Sequence, residues 1–489
     1  MTTVNPSDTM APPATSARKR AILDHAEHIA AERQHWIARN RAYYRQDRDY
    51  MRFLVPEGAR VLDLGCGTGD LLAALNPSYG LGIDLSPAMV EQARRLHPHL
   101  AFRTGDIEDA RTLAEIEGPF DYIIMSDTIG MLEDIETALR LLHPLCHDDT
   151  RIVIAYYNHL WEPLLRAAQG FGLKMPQPPT NYLATTDFLN ILDLSDFEPI
   201  KRDYRQLLPR ALFGLGTLVN RFIAPLPLVR RLCLRNYIVA RSMRVNRPEA
   251  LSVSIVIPCR NERGNIETAI RRLPPFGKAQ EIVYIEGNSS DGTYEECLRV
   301  KDAYAATHDI KVLQQDGKGK GDAVRKAFAH ATGDVLMILD ADLTMPPEVL
   351  PKFYQAIVNG KAEMINGTRL VYPMDDAAMR TLNFIANRFF ARVFSYLVNQ
   401  RFTDTLCGTK AMTRRHYEAI ARGRAYFGDF DPFGDFDLIF GAAKQNLKII
   451  EVPVHYGARV YGETQISRFR DGWLLLRMVG FAFMKLKAF

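Results

Sequence analysis

The sequence is short of everything that would staple or bury it elsewhere. Its six cysteines, Cys66, Cys146, Cys233, Cys259, Cys297 and Cys407, are scattered over 489 residues without a CxxC pair. That argues against a zinc site and a disulfide framework, and fits a reducing compartment. The opening "MTTVNPSDTMAPPATSARKR" has no apolar centre of signal-peptide type, so export is not expected. No run reaches the roughly 18 uncharged apolar residues of a membrane span. One stretch lacks charge of one sign: from Tyr204 to Pro248 there is no Asp, Glu or Lys, yet there are nine arginines set among "ALFGLGTLVNRFIAPLPLV". The C-terminal "GWLLLRMVGFAFMKLKAF" is likewise apolar and broken by cations. Such segments read either as interfacial helices on an anionic membrane or as helices packed between domains. A net charge of +4 is too small to point to nucleic acid. The arginines also lack the interleaved aromatics of a base-stacking surface, so no nucleic-acid partner is expected.

What is present is a strand–helix alternation that runs twice. "ARVLDLG", "YGLGIDLS", "FDYIIMSD" and "TRIVIAYY" are strands separated by helical patterns, and "FEPIKRDY" and "NYIVARS" read as two final strands. After "RVNRPEA", a fresh series starts with "LSVSIVIP", "EIVYIEG", "IKVLQQD" and "GDVLMILDAD". Alternation of this kind predicts an α/β fold with parallel sheets, here in two domains. The expected layout is a helical extension over 1–50 and a first domain over 51–244 with an amphipathic insertion at 207–232. A linker at 245–250 and a second domain over 251–489 follow.

In the first half, "VLDLGCGTG" sets Gly65, Gly67 and Gly69 between a strand and a helix, where a ligand can approach the backbone. The spacing is GxGxG rather than the dinucleotide GxGxxG. Acids crowd the same place: Asp63, Asp84 at the end of the next strand, and Asp106 beyond it. A pyrophosphate would be repelled there, whereas the sulfonium and ammonium of S-adenosyl-L-methionine would be attracted. Asp84 suits two ribose hydroxyls as a bidentate acceptor. These residues resemble a class I methyltransferase, with "DLGCGTG" as its first motif. The resemblance implies a Rossmann-like sheet and makes Asp106 and Ile107 the adenine-side pair. It leaves the methyl acceptor open, and Asp127, Tyr156, Tyr157 and His159 lie at strand ends where an acceptor could sit.

In the second half, "ILDADLTMPPE" ends a buried strand on two carboxylates, Asp340 and Asp342, one residue apart. Like charges that close call for a cation between them, and a divalent metal clamping a diphosphate is the usual answer. Two other strands end the same way, in "PCRNE" with Pro258 and Glu262, and in "EGNSSDGT" with Glu286 and Asp291. "DGKGKGDAVRKAF" adds Lys318, Lys320 and Arg325 around glycines, without Walker spacing. This half resembles a family 2 glycosyltransferase of the GT-A fold, in the dolichyl-phosphate mannose synthase branch, through "DADLTMPPE", "NGTR", "DTLCGTKAM" and "EVPVHYGARVYGET". The resemblance implies that Glu262 and Glu286 lie against a nucleoside, and that Asp340 and Asp342 hold Mg²⁺ or Mn²⁺. It turns Arg369, Lys410 and Arg459 toward phosphates.

Thr344 and Gly287 depart from that branch, which keeps UDP and GDP donors both open. Asp435, in "FDPFGDFDL", falls where inverting enzymes carry a general base. It leans toward a hydroxyl acceptor, although the surrounding motifs match the lipid-phosphate branch. The expectation is a bifunctional enzyme that transfers a sugar to a glycan or lipid-linked acceptor and methylates the same or a related product. It would work in the cytoplasm, peripherally on the inner face of the plasma membrane. The alternative is a polyprenyl-phosphate glycosyltransferase whose first half binds S-adenosyl-L-methionine without turnover.

Overall fold

The computed structural model describes residues 16–245, 250–372, 381–428, 434, 436–457, 459, 461 and 468–489, with only the backbone of 381–384 and 468–471. The chain separates into two compact units, Met1–Val245 and Asn246–Phe489.

The first unit opens with three helices, α1 (Ala17–Ile29), α2 (Arg33–Arg39) and α3 (Arg41–Leu54). Ser16 caps α1 by accepting from Lys19 N at 3.0 Å. Seven strands follow: β1 (Arg60–Leu64), β2 (Tyr79–Asp84), β3 (Ala101–Thr104), β4 (Phe120–Ser126), β5 (Cys146–Tyr157), β6 (Phe197–Arg205) and β7 (Arg235–Ser242). Their order across the sheet is β3-β2-β1-β4-β5-β7-β6. All pair in parallel except β7, which runs antiparallel to both β5 and β6. The strands are apolar on both faces because helices cover both, and Leu62, Ile83, Ile123 and Ile154 are buried in the core. The order reverses between β1 and β4, so the ends of β1, β2 and β4 open one crevice, where α/β sheets place ligands.

The second unit carries β8 (Val253–Cys259), β9 (Gln280–Glu286), β10 (Asp309–Gln314), β11 (Val335–Ile338), β12 (Met364–Thr368), β13 (Lys410–Thr413) and β14 (Ile449–Pro453). Here the order is β10-β9-β8-β11-β13-β12-β14, with β13 antiparallel to its two neighbours. Its switch point lies between β8 and β11, whose ends carry Pro258 and the Asp340–Asp342 turn. The two sheets are the Rossmann-like and GT-A arrangements that the two resemblances imply.

The C-terminal helix Arg468–Leu486 buries Leu475, Met478, Ala482 and Leu486 on one stripe and exposes Trp473, Leu476, Arg477 and Met484 on another. It is therefore a packed helix whose outer face is apolar and broken by the Arg477 cation. Among the described residues no helix is long and apolar enough to cross a membrane.

Candidate active sites

The N-terminal cavity, about 210 Å³, sits over the glycine turn after β1. Gly65 and Gly67 have φ of +81° and +53°, where side chains rarely go. A Cβ on Gly65 would lie 2.3 Å from Thr128 Oγ1, and one on Gly67 2.8 Å from Arg33 Nη2. Gly69, at φ +76°, caps the helix that follows. Asp63, Asp84, Asp106 and Ile107 all line this cavity with Gly65 and Gly67. Asp84 accepts from Gly67 N at 2.8 Å and from Ser86 N at 3.0 Å, so its carboxylate is fixed across the turn. Burial nevertheless pushes Asp84 upward in pKa, with the two amides and Arg33 opposing.

Asp63 is more exposed to that conflict. Burial, and then the charge of Asp84, push its carboxyl up to about 7, against the pull of Arg33. Its buried Oδ2 has no hydrogen-bond partner. A buried acceptor without a donor fits a ligand that brings an N–H or a cation, which is the chemistry of an ammonium group. The residues present therefore suit S-adenosyl-L-methionine.

Sequence reasoning missed the roof of this cavity. Lys19 of α1 bridges Asp106 at 2.5 Å and Glu108 at 2.8 Å. Arg18 donates to Leu132 O at 2.7 Å and to Gly130 O at 2.8 Å. Gln34 of α2 donates to Asp70 Oδ2 at 2.9 Å. It also missed the far wall, where fully buried Arg235 pairs with Asp47 at 3.1 Å and with Asp127. Asp127 sits at φ +61° and borders the cavity with Tyr43 and Tyr157, whose hydroxyls are 3.0 Å apart. Tyr156 turns instead to Thr185 Oγ1 at 3.2 Å, and His159 starts a short turn away from the cavity lining.

The nine arginines also divide. Arg205, Arg235 and Arg241 are buried in ion pairs with Asp203, Asp47 and Glu198. They belong to the fold and not to one basic stripe.

The second crevice, about 290 Å³, is lined by Pro258, Glu262, Lys320, Asp340, Asp342 and Arg459, among others. Lys320 Nζ donates to Asp340 Oδ1 at 2.7 Å. Burial pushes Asp340 up, but Lys320, by charge and hydrogen bond, then Lys410 and Arg369, bring its carboxyl below the usual value. Gly408 permits this approach, since a Cβ there would lie 2.1 Å from Asp340 Oδ2. Arg459 joins two turns, donating to Asp342 Oδ2 at 2.7 Å and to Glu262 Oε1 at 3.0 Å. Thr344, the departure noted above, donates its hydroxyl to Asp342 Oδ1 at 2.8 Å.

Not every expected residue converges here. Glu286 is buried and accepts from Ser289 N, shaping its own turn. Asp291 accepts from Thr293 N at 3.1 Å and Arg263 N at 3.3 Å, outside the crevice lining. Arg369 is held by Asp404 at 2.6 Å, and buried Lys410 donates to Cys407 O at 2.6 Å. Both act on Asp340 through charge rather than from the lining. Lys318 is exposed. Arg325 pairs with Asp437 at 3.0 Å, outside the crevice lining. Asp435 lies outside the described residues. Among the described residues no three carboxylate, His or Cys groups cluster as a metal cage. Two carboxylates at one strand end fit the other mode, in which an ion keeps few protein ligands and takes the rest from substrate phosphates.

Comparison with known proteins divides along the same line. The family model described as a methyltransferase domain matches residues 35–201, and that described as glycosyl transferase family 2 matches residues 254–420. Glycosyltransferase AglJ of Haloferax volcanii is 31% identical over 230 residues, covering 47% of this chain and 71% of that protein. Dolichol-phosphate mannosyltransferase of Pyrococcus furiosus is 29% identical over 228 residues, covering 44% of this chain and 60% of its own length. Among solved structures, a SAM-dependent methyltransferase of Thermotoga maritima aligns over 45% of this chain and 98% of its own, at 18% identity and TM-score 0.35. Glucosyl-3-phosphoglycerate synthase of Mycobacterium tuberculosis, solved with Mn²⁺, UDP and glucosyl-3-phosphoglycerate, aligns over 48% of this chain and 80% of its own, at 16% identity and TM-score 0.35.

Proposed function

Because the chain belongs to glycosyltransferase family 2 through its C-terminal half, and carries a methyltransferase domain ahead of it, we propose that it is a bifunctional enzyme. One half transfers a sugar, with inversion, from a UDP- or GDP-sugar to a glycan or lipid-linked acceptor. The other methylates the same or a related product from S-adenosyl-L-methionine. The work is done in the cytoplasm against the inner face of the plasma membrane.

The observation that carries the reading is the Asp340–Asp342 turn, with a cation against each carboxylate. Mg²⁺ or Mn²⁺ held by these two carboxylates would supply positive charge to a departing diphosphate. Lys320 and Arg459, now paired with Asp340 and Asp342, would be placed to meet phosphate oxygens once a metal took over those carboxylates. Pro258 and Glu262 line the side of the crevice assigned to the nucleoside, with Glu286 buried behind it at the end of β9. Asp435 is the proposed base that takes the proton of an acceptor hydroxyl.

In the other half, S-adenosyl-L-methionine would bring an activated methyl group with its own leaving group. Asp63 would meet its ammonium and Asp84 its ribose hydroxyls, with Asp106 and Ile107 on the adenine side. The far wall, with Asp127 and Tyr157, orients the acceptor.

A second reading is favoured by the similarity to the Pyrococcus dolichol-phosphate mannosyltransferase. The acceptor would then be a polyprenyl phosphate, already an anion and needing no base, and the first half a cofactor-binding module.

A thermal-shift panel of nucleotide sugars with Mn²⁺ tests the first step. One nucleotide series should raise the melting temperature of the wild type and leave Asp342→Asn unmoved. Equal shifts in both proteins would remove the metal–diphosphate assignment, and no shift at millimolar nucleotide would remove the donor site.

A further inference from the structure

The segment between β6 and β7 is built inside out. The residues it turns toward the fold are small or polar and four apart: Gly216, Asn220 and Ala224. A Cβ on Gly216 would lie 1.9 Å from Arg210 O. Asn220 accepts from Leu208 N at 2.8 Å and donates to Leu208 O and Gln46 Oε1 at 2.7 Å each. Ala224 is fully buried, and its carbonyl accepts from Cys233 Sγ at 3.6 Å. The residues it turns outward are the large apolar ones, Phe213, Leu215, Leu218, Phe222, Leu226 and Leu228, the last 90% exposed. A helix of a water-soluble surface has the opposite arrangement.

The tip is strained as well as exposed. Leu212 and Phe213 sit at φ of +44° and +55°, which side chains avoid, and Phe213 is fully exposed.

A second segment extends the same surface. Trp161 Nε1 donates to Leu232 O at 2.8 Å, Asn158 Nδ2 to Arg231 O at 2.9 Å, and Arg210 Nη2 to Leu173 O at 3.2 Å. These bonds bring exposed Leu160, Leu164, Phe171 and Leu173 beside the insertion. Contiguous apolar surface of this extent marks an interaction site.

We propose that residues 160–173 and 212–232 form a docking surface for an anionic lipid bilayer, with Phe213 and Leu228 entering the acyl boundary and Arg210, Arg221 and Arg231 meeting lipid phosphates. The charge pattern selects this occupant. The insertion offers exposed arginines and no acidic residue from Tyr204 to Pro248. A plane of phosphates answers all of them at once, while the leucines set among them suit the acyl boundary beneath. The proposal deepens the membrane placement suggested above, and rests on that placement alone.

Full-length protein co-sedimented with vesicles tests it. The chain should pellet with vesicles of equal parts phosphatidylcholine and phosphatidylglycerol, and less with pure phosphatidylcholine. Phe213→Ser with Leu228→Ser should cost at least about tenfold in lipid affinity, and Arg231→Gln about fivefold. Leu160→Ser with Phe171→Ser, on the second segment, should weaken binding in the same way. All these side chains are exposed, so melting temperature should stay put and serve as the folding control. No pelleting with anionic vesicles, or pelleting indifferent to both apolar double variants, overturns the proposal. So does self-association abolished by those variants in a chain that ignores lipid, which would make a second copy the occupant. Because lipid binding is read without nucleotide, a failure here leaves the nucleotide-sugar titration standing, and the reverse.

Discussion

Asp63 sets a measurable pH dependence. It is a buried carboxyl with an unpartnered oxygen, raised from 3.8 to about 7 by burial and by Asp84. A cationic ligand must meet the ionised form, so below pH 7 binding first has to expel a proton. The affinity for S-adenosylhomocysteine, whose ammonium is retained, should therefore fall by up to about tenfold per pH unit below 7 and level off above it. Calorimetric titrations at pH 6 and 8, in buffers of different ionisation enthalpy, would read both the affinity and the released proton. A flat profile with no proton released would dismiss the assignment. For the empty protein the folded state holds this proton more tightly than the unfolded chain does. Its contribution to stability is consequently lost as pH rises from about 4 to about 7. Asp63→Asn should remove that loss and at the same time weaken the ligand.

At the scale of elements, α1 works as a clasp over the cofactor side of the cavity. Its contacts are many and singly weak: Lys19 to Asp106 and Glu108, Arg18 to two carbonyls, and Glu27 accepting from Ala88 N at 3.1 Å. A partly exposed ion pair is worth about 1 kcal/mol or less. Lys19→Ala should thus weaken S-adenosylhomocysteine by less than about tenfold, whereas removing residues 1–31 removes every contact of α1 at once and should weaken it far more. Amide exchange across α1 should also slow when the ligand is added. A truncated chain that binds as tightly as the full one would reduce α1 to decoration.

This clasp shows where the sequence stops being legible. Asp63, Asp84 and Asp340 announce themselves because a strand and the turn after it are contiguous, so spacing alone places their carboxylates. Lys19 reaches Asp106 across 87 residues and Arg235 reaches Asp47 across 188, and no local pattern encodes such pairs. The density of charge and aromatics in "ERQHWIARNRAYYRQDRDY" was the one signal that the extension carries more than a leader. The same limit explains Arg369 and Lys410. Their motifs are readable, but burial beside Asp404 and Cys407 is a property of packing.

At the scale of the whole molecule, each unit has its own seven-stranded sheet and its own large apolar core, and the two candidate sites are each lined from one unit. Cooperativity in unfolding follows the core, so two cores predict two calorimetric transitions rather than one. S-adenosylhomocysteine at about a hundred times its dissociation constant would add about 2.7 kcal/mol to the unit that binds it. For a unit of this size that is a rise of roughly 5–10 °C. A nucleoside diphosphate with Mn²⁺ should raise the other transition by a similar amount and leave the first in place. If one transition answers to both ligands, the halves unfold as a single cooperative body. The two chemistries would then share stability as well as a chain, and a variant that loosens one crevice would be expected to weaken ligand binding in the other.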